Sequence, residues 1–198
     1  MPEKHLAPII LASVSPRRRQ LLSEAGYSFK VVEPDIDESA FPTEGLAARQ
    51  YAETLALAKA RSVAPKYPDH LVIGADTVAD FAGEIIGKPK DARDAERITT
   101  KLFSAPHEVV TGLAIVRHCD GIELVESDTT TVYPKPMTAR QIAEHIEGGT
   151  WRDKAGAYAI QETGDAFVER IEGSLTNVMG LPMERLESLL VDKFRYGR

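Results

Sequence analysis

The apolar run Ile9-Ile10-Leu11-Ala12 passes through Ser13-Val14 straight into Ser15-Pro16-Arg17-Arg18-Arg19, and this junction constrains the chain more than any other stretch. The run reads as a buried strand. Ser15 and Pro16 form a helix start, a hydroxyl cap followed by a ring preset to helical φ, and the helix is predicted to run to Ala25 with Gly26 as its stop. Three arginines in the first turn sit at the positive end of the macrodipole. Each is disfavoured there by about 0.3–1 kcal/mol unless an anion lies among them. At about 100° per residue Arg18 shares the inward face with Leu21, Leu22 and Ala25, Arg17 flanks it and Arg19 faces solvent. The junction is therefore a candidate site for phosphate or carboxylate. It lacks the glycines and lysine of Walker A, so it is not an ordinary P-loop. The competing reading pairs the arginines with the acidic turn from Asp35 to Glu38, or leaves them on the surface.

Downstream, Phe29 to Val32 reads as a second strand. Thr43 is placed as the cap of a helix from Glu44 to Ala64, with Tyr51, Leu55 and Ala58 buried and Lys59 following their stripe. Leu71 to Ala79 is a third strand interrupted by Gly74 and Asp76. Asp91 caps a helix to Phe103 with Ala95, Ile98 and Leu102 inward. Val109 to Arg117 and Ile122 to Tyr133 form a hairpin across Asp120-Gly121. Thr138 caps a helix ending at Gly148, strands follow at Ala157 to Gln161 and Phe167 to Ile171, and a last helix covers Pro182 to Phe194. The expected fold class is mixed α/β: one unit over residues 1–198, with a central sheet, flanking helices and two lobes around a cleft.

The 198-residue chain carries a net charge of -6, which argues against nucleic acid or an anionic membrane as partner. Its single cysteine, Cys119, rules out an internal disulfide and points to a reducing compartment. No run approaches a membrane span and the N-terminal apolar stretch is too short for a secretory signal, so a soluble, cytoplasmic protein is expected. Asp76 lies in an apolar strand, where a carboxylate has to be paired, metal-bound or at the strand's end. Lys88, in the rigid Gly87-Lys88-Pro89 turn, could balance phosphate charge. His107 and the scattered His5, His70, His118 and His145 lack metal-ligand spacing, which leaves carboxylates and so magnesium or manganese. Trp151, Tyr133 and Tyr158 are read as packing residues.

Four motifs in order resemble the Maf family of nucleoside triphosphate pyrophosphatases. They are Leu11 to Arg18, Gly74 to Val78, Gly87-Lys88-Pro89, and the run Asp153 to Gln161 with Phe167-Val168, Ile171 to Ser174, Asn177-Val178 and Gly180 to Pro182. The resemblance implies a fold similar to the inosine triphosphate pyrophosphatases, frequent homodimerisation, and hydrolysis of a nucleoside triphosphate to monophosphate and pyrophosphate. It implies Asp76 as proton acceptor, and Ser13, Arg18, Glu38, Lys59 and Lys88 around the phosphates and a divalent Mg²⁺ or Mn²⁺, with Glu38 and Asp76 as metal ligands. Arg17, Thr77 and Gln161 match the positions of the branch acting on dTTP and UTP. Glu162 in place of a common glycine, and Leu175 in place of a common tyrosine, depart from the pattern and bear on the base pocket.

Three functions stay open from sequence. One is a dTTP/UTP pyrophosphatase and another a house-cleaning enzyme for modified nucleotides such as 7-methyl-GTP. The third is a non-enzymatic nucleotide-binding regulator of cell division, as the family's link to septum formation suggests.

Overall fold

The computed structural model describes residues 7–152, 154–158 and 167–194. Its frame is one seven-stranded mixed sheet of β1 (Ile9–Leu11), β2 (Phe29–Val31), β3 (Leu71–Phe81), β4 (Glu84–Ile86), β5 (His107–Arg117), β6 (Ile122–Pro134) and β7 (Val168–Glu172). The strand order is β2-β1-β3-β5-β6-β7, with β4 also on β3. The helices are α1 (Pro16–Glu24), α2 (Ala48–Val63), α3 (Ala92–Leu102), α4 (Ala139–Gly148), the single turn α5 (Leu175–Val178) and α6 (Met183–Phe194). β1 pairs in parallel with β2 and β3, whereas β3-β5, β5-β6 and β6-β7 are antiparallel. The mixed α/β class and most expected elements are present.

Period-two alternation along β3 feeds two different layers. Leu71, Ile73 and Ala75 pack with Leu21, Leu22, Leu186 and Leu190 of α1 and α6, while Val72 packs with Ala56, Ala60 and Val63 of α2. Gly74 and Gly112 belong to the α2 face, and both are required by close approach. A Cβ on Gly74 would lie 2.2 Å from the Ala56 carbonyl oxygen, and one on Gly112 would lie 2.2 Å from that of Ala52. The alanine stripe Ala48, Ala52, Ala56 and Ala60 is buried against the sheet. Gly74 thus marks a helix contact rather than an interruption of the strand.

Several boundaries differ from the sequence expectation. α2 starts at Ala48, not Glu44, because Gly45 takes a left-handed φ of 77° and Gln50, not Thr43, accepts from the Ala47 N–H. Ala155–Ala157 form a 3₁₀ turn with Gly156 at φ 73° where a strand was expected to begin, and residues 159–161 of that strand lie outside the described residues. β4 and α5 were not anticipated, being too short for any periodicity. Tyr133 is half-buried and packs as expected, with the Arg170 guanidinium over its ring and its hydroxyl donating to Glu172 at 2.9 Å.

The edge of β3 opposite β5 decides where a cleft can form. β1 stops pairing at Leu11 with Ile73, and β4 begins at Ile86 with Ala79. Among the described residues, Gly74 to Val78 have no strand partner on that edge, while β5 covers the other edge from Val72 to Asp80. Asp76 is therefore in the middle of its strand, yet beyond the end of its parallel neighbour.

Gly74→Ala and Gly112→Ala each push a methyl into helix backbone, which cannot rotate away. Each is expected to destabilise the protein by about 2–3 kcal/mol or more, read as a lower denaturant midpoint with unchanged m-value.

Candidate functional site

The loop from β1 to α1 delivers the first wall. The Ser13 hydroxyl accepts from the Ser15 N–H at 3.2 Å and from Arg18 Nη1 at 3.2 Å. Arg18 Nε donates to the Gly180 carbonyl at 2.7 Å and Nη2 to the Thr77 hydroxyl at 3.2 Å. Those acceptors are all neutral, and α1 has no acidic residue in its first turn. Burial lowers the Arg18 pKa, and the Asp76 charge offsets this only in part. A guanidinium drawn out of water and bonded to neutral oxygens is prepared for an anion. Arg17 lines the same cavity and Arg19 is exposed, as the helical spacing predicts.

The second wall is carboxylate and ammonium. Asp76 on β3 is 6% exposed and Lys59 on α2 is 4% exposed, with Lys59 Nζ 2.6 Å from Asp76 Oδ1. The same Nζ is 2.8 Å from Glu38 Oε1, and Lys88 Nζ lies 3.4 Å from Glu38 Oε2. Glu38 stands at the start of a 3₁₀ turn after β2, which Asp37 caps through the Ser39 N–H at 3.0 Å. Burial works against its ionisation, but the hydrogen bond and charge of Lys59, with the charge of Lys88, outweigh this and hold the carboxyl below its usual range. The acidic turn therefore supplies Glu38 to the lysines, while Arg18 bonds elsewhere. Tyr51, near both carboxylates, is pushed up by burial and then by the charges of Asp76 and Glu38.

A third wall follows α4, where Arg152, Lys154, Ala155 and Tyr158 line the cavity. Neither Arg152 nor Lys154 is singled out by the sequence for a role of its own. Their signal was a pair of cations beside a resembling motif, with nothing local to say where they point. The Gly156 N–H donates to the Gly87 carbonyl at 3.1 Å, tying this segment to the turn that carries Lys88. Tyr158 is buried and is held from behind by His107. His107 Nδ1 lies 3.0 Å from the Leu102 carbonyl, which can only accept, so Nε2 accepts from the Tyr158 hydroxyl at 2.7 Å. His107 is thus structural, and Trp151 and Tyr158 are packing residues as expected.

These walls enclose one cavity of about 510 Å³ at the gap in the β3 edge. Asp76 enters it from the α2 face of the strand and Thr77 from the other. It gathers every sequence-predicted site residue among the described ones: Ser13, Arg17, Arg18, Glu38, Lys59, Asp76, Thr77 and Lys88. Gln161 and Glu162 lie outside the described residues. Leu175 is exposed and is not part of the cavity wall. Six residues with cationic side chains, Arg17, Arg18, Lys59, Lys88, Arg152 and Lys154, line this cavity together with the two carboxylates of Glu38 and Asp76, on a chain of net charge -6. Among the described residues no three His, Cys, Asp or Glu side chains cluster as a metal cage, and no helix is long and apolar enough to cross a membrane.

The fold is of the Ham1 type. Ham1 proteins of Staphylococcus aureus and Coxiella burnetii are similar to this structure, each with a TM-score of 0.53, at 15% and 14% identity. The matches cover 92% and 94% of this chain and 97% and 100% of theirs. Residues 8–193 match the profile described as Maf-like protein, and the chain belongs to the Maf family. The dTTP/UTP pyrophosphatase of Citrifermentans bemidjiense is 47% identical over 88% of this chain and 90% of its own. That of Geotalea uraniireducens is 48% identical over 88% and 89%, and that of Symbiobacterium thermophilum 42% over 92% of each.

Removing the Tyr158 hydroxyl leaves His107 Nε2 buried without a donor. Tyr158→Phe is expected to lower stability by about 1–2 kcal/mol. Burial lowers the His107 pKa below its ordinary value, so the unfolded chain takes up the proton first as pH falls. The stability contribution of this group is full above about pH 6.5 and declines as pH drops towards the folded-state pKa. In His107→Gln, which keeps one donor and one acceptor, the loss of stability between pH 7 and pH 5 should be smaller than in the unmodified protein.

Proposed function

We propose that the protein hydrolyses nucleoside triphosphates, dTTP and UTP above all, to the nucleoside monophosphate and pyrophosphate. The observation that carries this reading is the convergence of six cations and two carboxylates on one cavity in an acidic protein. Such a local excess of positive charge fits a polyanion, and a buried aspartate beside it fits proton transfer. The names of relatives at 42–48% identity support the same substrates.

Arg17, Arg18 and the N-terminus of α1 bind phosphate oxygens, and Lys88 neutralises the charge that builds up on them. Lys59 holds Asp76 Oδ1 at 2.6 Å and so orients the carboxylate. Its other oxygen accepts a proton from the attacking water. The water oxygen bonds to the α-phosphorus, the bond to the bridging oxygen breaks, and pyrophosphate leaves with that electron pair. Thr77, Arg17 and Gln161 serve the choice of base, the amide of Gln161 offering a donor and an acceptor to a uracil or thymine edge.

Glu38 and Asp76 suit Mg²⁺ or Mn²⁺, since two carboxylates completed by water and substrate phosphates are an ordinary donor set for such ions. The 3.4 Å separation of Glu38 Oε2 from Lys88 leaves that oxygen weakly engaged. When bound, the ion supplies charge to the phosphates and lowers the pKa of water.

Asp76→Asn should reduce pyrophosphate release from dTTP by about 10²–10⁴-fold with the thermal unfolding profile retained. Release within a few-fold of the unmodified protein would show that Asp76 is not the base. The same assay across dTTP, UTP, 7-methyl-GTP and inosine triphosphate, with Mg²⁺ and with Mn²⁺, orders the substrates. Tight nucleotide binding without any pyrophosphate release would favour the regulatory reading instead.

A further inference from the structure

Three polar side chains, Thr111 on β5, Thr130 on β6 and Asn177 on α5, are each 0% exposed behind the cleft. Burying polar groups is unfavourable unless they are hydrogen-bonded. Here the bonds converge on one place. Asn177 Nδ2 donates to the Val109 carbonyl and to the Thr130 hydroxyl, both at 2.9 Å. Thr130 also accepts from the Ser174 N–H and donates to the Ser174 carbonyl, both at 3.0 Å. These bonds pin α5 across β5 and β6. The backbone carbonyl of Asn177 accepts from the Gly180 N–H at 2.9 Å and from the Thr111 hydroxyl at 2.9 Å.

The polarity of the remaining links follows. Because Thr111 donates to a carbonyl, its 3.0 Å contact with Thr77 has Thr77 as donor. The Thr77 hydroxyl then accepts from Arg18 Nη2 at 3.2 Å. Gly180, held by the same Asn177 carbonyl, accepts from Arg18 Nε at 2.7 Å. Two of the three hydrogen bonds that orient Arg18 thus trace back to one buried carbonyl, one through a pair of threonine hydroxyls and one through the glycine backbone.

We propose that Thr111 and Asn177 are positioning residues for Arg18, acting through Thr77 and Gly180 to aim its guanidinium at substrate phosphate. Neither touches the cavity, so neither is a catalytic residue. The proposal rests on the reading that Arg18 binds phosphate. A merely structural role would lower stability without selecting the step that Arg18 serves.

The test is a double-mutant cycle. Thr111→Val keeps the shape and removes the donor, Thr111→Ser restores it, and Arg18→Lys removes the fork that the network aims. KM and kcat for dTTP and the inhibition constant of inorganic pyrophosphate are measured for each, with thermal unfolding alongside. Thr111→Val should raise KM and the pyrophosphate constant about five- to tenfold with kcat changing less, and Thr111→Ser should recover most of this. In the Arg18→Lys background, Thr111→Val should add nothing. Full additivity in the cycle, or Thr111→Ser behaving like Thr111→Val, overturns the proposal. If the unmodified protein releases no pyrophosphate from any nucleotide, the functional reading fails separately, and the same cycle is then read from calorimetric binding of inorganic pyrophosphate. Asn177→Ala is a second probe, expected to follow Thr111→Val where it folds.

Discussion

The close seating of α2 on the sheet is the constraint on which the rest of the structure depends. Gly74 and Gly112 offer no side chain, and the alanine stripe of α2 fills the space with backbone and methyl groups. A helix this near a strand brings Lys59 within 2.6 Å of Asp76 in a buried setting. A carboxylate placed there without its ammonium would face a large desolvation penalty. Helix packing and the charge pair are therefore one feature: the glycines permit the approach, and the approach makes the buried aspartate tenable.

The second constraint is the uneven length of the strands. β1 has three residues and β3 eleven, so β3 projects beyond its parallel neighbour until β4 rejoins it. In that interval consecutive side chains point to opposite faces of the sheet yet border the same opening. Asp76 belongs to the lysine and carboxylate wall, and Thr77 belongs to the arginine wall. The sheet edge itself divides the site into a lysine and carboxylate side and an arginine side, and the buried polar cluster of Thr111, Thr130 and Asn177 lies behind the second.

Features governed by neighbours a few residues away were legible in the chain. Pro16 starts α1 where expected, although the Ser15 hydroxyl makes no capping hydrogen bond; Asp91 and Thr138 cap α3 and α4, and helical spacing correctly turned Arg18 inward and Arg19 outward. The extended start assigned to α2 failed because a glycine with positive φ intervened. Arg152 and Lys154 had no legible direction, since a long cation after a helix can point anywhere until the fold supplies the cavity.

By itself the sequence determined the α/β class, the arginine-rich first turn of α1 with no acidic residue, the anomaly of a carboxylate in an apolar strand and, through its motifs, the family. Each of these is written in local spacing or in residue identity. Only the tertiary structure decided that Lys59 answers Asp76 across 17 residues of chain and that Gly180 answers Arg18 across 162. It also decided that the gap between β1 and β4 is where all these groups meet. Burial and partnership over such separations depend on how layers stack, and no local pattern encodes the distance between two faces of a sheet.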